Sequence, residues 1–155
     1  MRANSLRVAT IELAVVGAHL KGQPLNHQLT DRGALFAART STAPCYRLYA
    51  LPTDLPKPGL VRVEPTDPGA GEVEVEVWSL DAAAFGTFVA NVPAPLSIGR
   101  VVLCDGRDVA GFLCEPLATV GAEDITHFGG WRPYLASRAA PDEAGRRRAR
   151  RAPRT

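Results

Sequence analysis

Cysteine is scarce in this chain, and so are aromatic residues, methionine and long apolar runs. The three cysteines, Cys45, Cys104 and Cys114, are odd in number and have no CxxC spacing, so neither a disulfide framework nor a zinc pattern is indicated. They are expected to behave as small buried apolar residues. No apolar stretch approaches the roughly 20 residues that a membrane helix needs. The opening MRANSLRVATIEL lacks the apolar segment of a secretory signal. A cytoplasmic address is therefore expected, with no membrane partner. HExxH, GxSxG, P-loop, EF-hand and GxGxxG patterns are missing, so no metal and no other cofactor is expected.

What is present suits one globular domain. The 155 residues are 46% hydrophobic and 22% charged, enough apolar material for a core that needs no covalent staples. The formal charge of +2 is unevenly spread. Residues 137–155 carry seven arginines against Asp142 and Glu143, leaving 11 basic and 14 acidic residues for the rest. Residues 1–8 read as a lead, 9–136 as the folded domain and 137–155 as a disordered Arg-rich tail, because SRAAPDEAGRRRARRAPRT has too little apolar surface to order itself. Aromatic residues do not interleave with those arginines, so nucleic acid is not an expected partner.

Along the domain, RVATIELAVVG reads as a strand entering a core. PLNHQLTDRGALFAAR has leucine spacing for one or two short helices, with Gly33 a weak point. CYRLYALP and GLVRVEP read as short strands. GEVEVEVWSL alternates most cleanly: Val73, Val75 and Val77 should face inward, and Glu72, Glu74 and Glu76 should form a solvated face. LDAAAFGTFVANVP changes to helical spacing behind Asp81. IGRVVLCDGRDVAGFLCEP reads as a hairpin turning at Asp105-Gly106, and a short helix should follow Gly130. Short strands interrupted by two or three short helices predict an α+β domain, a small mixed and mostly antiparallel β-barrel.

Chemistry concentrates in AVVGAHLKGQPLNHQL, residues 14–29, where His19 and His27 flank a glycine-rich turn. A strand ending in glycine can leave successive backbone N–H groups that form a nest for an anion, and Gly17 and Gly22 allow close approach. His19, Asn26 and His27 could add hydrogen bonds or a proton. Tyr46, Arg47 and Tyr49 offer a cation and two phenols on a neighbouring strand. On residues alone, an ordinary strand-to-helix connection explains the same pattern. His127 reads as a packing or capping residue.

VVGAHLKGQPLNHQL, TAPCYRLYALP, KPGLVRV, VEVEVWSL, PAPLSIGRVVLCDG, VAGFLCE and DITHFGGWRPYLA occur in this order, and the set resembles the C-terminal domain of allophanate hydrolase over residues 9–136. Full-length members carry an amidase domain with a Ser–Ser–Lys set; this chain has no room for one and resembles a stand-alone form of the small domain. The resemblance implies a γ-glutamylcyclotransferase-like fold, whose first strand ends in a Tyr-Gly-Thr-Leu loop. Here Gly17 and Leu20 match within Val16-Gly17-Ala18-His19-Leu20, while the tyrosine does not. The cyclotransferase glutamate would fall at Asn91 or Val92, a departure that tells against that reaction.

For chemistry, the resemblance implies a small carboxylate or carbamate ligand and decarboxylation of an N-carboxyurea-type compound downstream of an amidase. His27 is the expected proton donor, with Gly17, Ala18, His19, Leu20 and Asn26 orienting the carboxylate and Arg47 and Tyr49 as clamps. Two other readings stay open: a non-enzymatic module docking on a separate amidase or on itself as a homodimer, and a γ-glutamylcyclotransferase-like enzyme.

Overall fold

The computed structural model describes residues 9–139. Among these residues eight strands form two sheets. The larger is built from β1 (Thr10–Val15), β2 (Leu35–Ser41), β5 (Glu74–Asp81), β6 (Leu96–Val102) and β7 (Asp108–Cys114), in the order β2-β5-β1-β7-β6. The smaller sheet joins β4 (Lys57–Arg62), β3 (Tyr46–Leu51) and β8 (Glu123–Asp124), in the order β4-β3-β8. Helices α1 (His27–Thr30) and α2 (Ala82–Ala90) connect strands, and a third, α3, covers 131–139. Among the described residues no helix is long and apolar enough to cross a membrane.

β1 is the pivot. It pairs antiparallel with β5, Leu13 opposite Trp78, and parallel with β7 on its other side. A strand flanked on both sides is apolar throughout its inner half: Leu13, Ala14 and Val15 are fully buried. Between the sheets lie Val75 and Val77 of β5, Leu48 of β3 and Leu60 of β4. Tyr46 is fully buried as well, and its hydroxyl accepts from the Val102 N–H at 2.8 Å, tying the small sheet to the large one. α2 starts as its sequence dictates, with the Asp81 carboxylate accepting from the Ala84 N–H at 2.7 Å.

The α+β class holds, but the sheet does not close into a barrel. Its outer strands β2 and β6 meet only beyond their ends, at the Thr42–Leu103 bridge, where the Ala43 N–H donates to Val102 O and the Cys104 N–H to Ser41 O.

Four local expectations are corrected. LFAARTS forms strand β2, not helix: Gly33 at φ +73° stops α1 after one turn, and the chain then pairs along the open edge of β5 with a bulge between Phe36 and Ala38. The glutamates of β5 are not a solvated face, because Glu76 is 3% exposed under covering elements described below. Cys104 is exposed, although Cys45 and Cys114 are buried as expected. Finally, α3 continues through residue 139, into the segment read as tail. The rest of that tail, 140–155, and the lead, 1–8, lie outside the described residues.

Candidate functional site

After β1 the chain folds into compact turns. The Leu20 N–H donates to Gly17 O at 3.0 Å and the Leu25 N–H to Ala18 O at 2.8 Å, while the Asn26 side-chain amide donates to His19 O at 2.8 Å. Glycine is required at position 17 by a neighbour: a Cβ there would lie 2.2 Å from Cδ of Pro58 on β4. The N–H groups of Gly17, Ala18 and His19 donate to no acceptor among the described residues. All three residues are buried. Buried donors without acceptors are rare, because each one forfeits its hydration without replacement. These three border an inner pocket of about 20 Å³, walled also by Lys57, Leu96 and Phe112.

His19 faces this pocket from a fixed position. Its ring stacks on Phe112 with centroids 4.9 Å apart and meets the edge of Phe88 at 5.2 Å. With the Gln28 Oε1 as acceptor at 2.8 Å, Nε2 carries the proton and Nδ1 is the basic nitrogen. Burial pushes the imidazole below its usual value; the Gln28 contact opposes this in part and Lys57 adds to it. Lys57, half-buried at the start of β4, pairs with no carboxylate among the described residues. The inner pocket borders an outer chamber of about 230 Å³, which shares His19, Lys57, Leu96 and Phe112 and adds Gln28, Asn91 and apolar side chains. Lysine is the cation here, and neither cavity is lined by a carboxylate.

The expected residues therefore separate. Gly17, Ala18 and His19 line the pocket. Leu20 is buried beneath it, and Asn26 holds the loop together without lining either cavity. His27 is exposed on α1, its Nδ1 donating to Pro24 O at 3.0 Å, and lines neither cavity. Arg47 is turned to the other end of β3, where it binds Asp67 and, at 2.7 Å, Asp124. Tyr49, opposite Gly59 in the small sheet, also lies off the cavity. His127 packs its ring against Phe128, centroids 4.2 Å apart. Among the described residues no group of His, Cys, Asp and Glu is arranged to hold a metal.

Lys57, Gln28 and Phe112 were not anticipated. One local signal does separate the histidines: His19 stands between Ala18 and Leu20, His27 between Asn26 and Gln28, and apolar flanks mark the buried one. Nothing in sequence signalled the support under the loop. Glu76 accepts from the Lys21 N–H at 2.7 Å and from the Trp78 indole at 3.3 Å. Arg132, at the start of α3, reaches Glu76 at 2.9 Å, Glu74 at 3.0 Å and the Lys21 carbonyl at 2.6 Å. The buried Glu76 and its part-exposed partner Arg132 thus grip both sides of the Lys21 backbone, just past the amides of residues 17–19.

The class is a two-sheet α+β domain with a glycine loop at the end of the first strand of its five-stranded mixed sheet and a cavity beside that loop. Within that class, residues 11–136 match the allophanate hydrolase C-terminal domain, and the chain belongs to this family. It is 45% identical over 130 residues to the urea amidolyase of Saccharomyces cerevisiae, covering 81% of this chain and 7% of that one. Among solved structures it resembles Kluyveromyces lactis allophanate hydrolase (44% identity, TM-score 0.79, 83% of this chain and 21% of that one). It also resembles a uropathogenic E. coli-specific protein (36% identity, TM-score 0.75, 83% and 97%). Likeness to an aig2-like protein of Mus musculus, at 17% identity and TM-score 0.53 over 70% of this chain and 82% of that one, extends to the fold alone. The chain spans about 7% of the length of the curated relatives it matches.

Proposed function

We propose that the domain binds a small carboxylated urea or amide in the inner pocket and releases CO2 from an N-carboxy carbamate, with His19 handling the proton. The carrying observation is that three successive residues whose amides have no acceptor among the described residues, a lysine with no carboxylate partner among them, and one imidazole all line a single cavity. The amides and Lys57 supply fixed positive potential for a carboxylate. Loss of CO2 from R–NH–COO⁻ breaks the carbon–nitrogen bond, and the nitrogen takes up one proton to become R–NH2. His19 rests as the neutral ring; its basic Nδ1 takes a proton from solvent, and because burial disfavours the imidazolium that proton passes readily to the carbamate nitrogen and restores the neutral ring. His27, on the surface, takes no part.

Malonate, a dicarboxylate that cannot lose CO2 by this route, tests the site by calorimetric titration. His19→Gln and Lys57→Met should each weaken its binding by roughly tenfold or more, about 1.4 kcal/mol. His27→Ala should leave it unchanged. Malonate binding that is absent, or indifferent to His19 and Lys57, overturns the reading.

A second reading concerns assembly. Since the domain makes up 21% of the K. lactis allophanate hydrolase chain, docking with an amidase is supported by its occurrence beside other domains. Light scattering of this chain mixed with the remainder of that hydrolase should show a complex; two separate species overturn this reading. The cyclotransferase reading has less support, because Asn91 and Val92 border the outer chamber where an acid would be needed, and the Asn91 amide donates to Thr87 O.

A further inference from the structure

The inner pocket and the outer chamber differ tenfold in size, about 20 Å³ against about 230 Å³. The first has room for little more than a water or a carboxylate end. The second is too large for the remainder of a urea-sized molecule. It is also differently lined: beyond the shared His19, Lys57, Leu96 and Phe112, its walls are chiefly Leu25, Leu55, Phe88, Val92 and Pro93. A ligand that ended at a second polar group would leave these side chains facing water.

We propose that the outer chamber is a subsite for an apolar substituent, so that the domain takes N-alkyl- or N-aryl-bearing carbamates and carboxylated amides in preference to unsubstituted ones. The inference rests on the reading that the inner pocket holds the carboxylate. Geometry sets the order of groups along the ligand. The carboxylate meets the amides of residues 17–19, the reacting nitrogen lies beside His19, and the substituent enters the chamber past Phe112 and Leu96, the apolar residues that border both spaces. Besides the shared His19 and Lys57, polar atoms in the chamber come from Gln28, whose Oε1 is engaged by His19, and from Asn91, whose amide N–H donates to Thr87 O. A substituent there meets chiefly aliphatic and aromatic walls.

Malonate and n-butylmalonate separate this inference from the reading beneath it. Each methylene taken from water is worth roughly fourfold in affinity, so n-butylmalonate should bind at least about tenfold more tightly than malonate even if the chain is only half buried. Val92→Phe, which fills the chamber from its rim, should abolish that advantage and leave malonate binding unchanged. If malonate binds and n-butylmalonate binds equally or more weakly, the subsite is overturned while the carboxylate site stands. Failure of both ligands to bind overturns both. An advantage that survives Val92→Phe and is also insensitive to Leu55→Ala places the butyl group elsewhere and overturns the subsite.

Discussion

Arg47 and Arg132 each gather two carboxylates, and the two clusters do different work. Arg47 ties Asp67, in the turn before β5, to Asp124 of β8, so it closes one end of the small sheet. Every group in that cluster belongs to the scaffold, and all three side chains keep about a quarter or more of their surface in water. Arg132 holds Glu74 and Glu76 of β5, but it also accepts the task of fixing a loop, because its guanidinium donates to the Lys21 carbonyl while Glu76 takes the Lys21 N–H. Only 4% of the Glu76 side-chain surface is exposed. Burial decides the difference. A carboxylate in water loses little when its partner goes, whereas one sealed between a sheet, an indole and a loop has no solvent to fall back on.

The largest effect should therefore follow Arg132→Ala. Removing one partner of a fully buried pair costs about 3–5 kcal/mol. Here only Glu76 is sealed, while Arg132 keeps 26% of its side-chain surface in water, so the loss should be about 2–3 kcal/mol and lower Tm by roughly 5–10 °C. Malonate binding should weaken in the folded fraction, since Lys21 follows the amides of residues 17–19 by two positions and loses both of its anchors. Arg132→Lys, which keeps the charge but cannot span Glu74, Glu76 and the carbonyl together, should fall between. Thermal unfolding followed by circular dichroism, with a malonate titration below the transition, measures both. A variant that loses stability while binding malonate as before would make the two clusters equivalent.

Arg47→Ala is the counterpart. It should lower Tm by less than Arg132→Ala and leave malonate affinity alone, because neither Arg47 nor its partners touch the cavity. A change in malonate affinity here would show that the small sheet's far end transmits strain to the pocket through β3 and β4.

How far the sequence could disclose this arrangement depended on whether the deciding partner was near in the chain. β5 was legible from Val73, Val75 and Val77, because alternation is a local consequence of pleating. The β6–β7 hairpin was legible from Asp105-Gly106 for a similar reason. β2 was not: LFAARTS is alanine-rich and helix-compatible, and its state is settled by the edge of β5, more than 30 residues away, as the register Arg39–Glu76 shows. Glu76 looked solvated because its cover comes from Arg132, 56 residues later, and from the backbone of Lys21, 55 residues earlier. The site divides in the same way. Gly17, Ala18 and His19 could be placed together because they are successive in the chain, whereas telling the buried His19 from the exposed His27 needed Phe88 and Phe112, which belong to other elements. Arg47 was placed with the site only because β3 was expected to pass it, and strand direction cannot be read from composition.

The smallest expected effect divides the two regions by pH. Burial depresses the His19 imidazole below 6.5, its usual value. Above pH 6.5 both folded and unfolded chains leave this group neutral, and its contribution to stability is complete. As pH falls, the unfolded chain takes up the proton first, so stability declines from about pH 6.5 until the folded imidazole also protonates, by at most about 1.4 kcal/mol per pH unit for one group. Asp67 and Asp124 behave in a lower window. The Arg47 hydrogen bond holds Asp67 below the usual carboxylate range; Asp124 is held there by its contacts with Thr126 and Arg47 despite partial burial. Their contribution is complete above about pH 4 and is lost as pH falls through their lower folded values. Urea unfolding measured from pH 7.5 down to 3 should then show two declines. His19→Gln should remove the upper one and leave the lower, and Arg47→Ala should shrink the lower one and leave the upper. A His19→Gln profile identical to that of the parent above pH 5 would mean that this ring titrates as it does in water, and the proposed proton delivery would lose its buried imidazole.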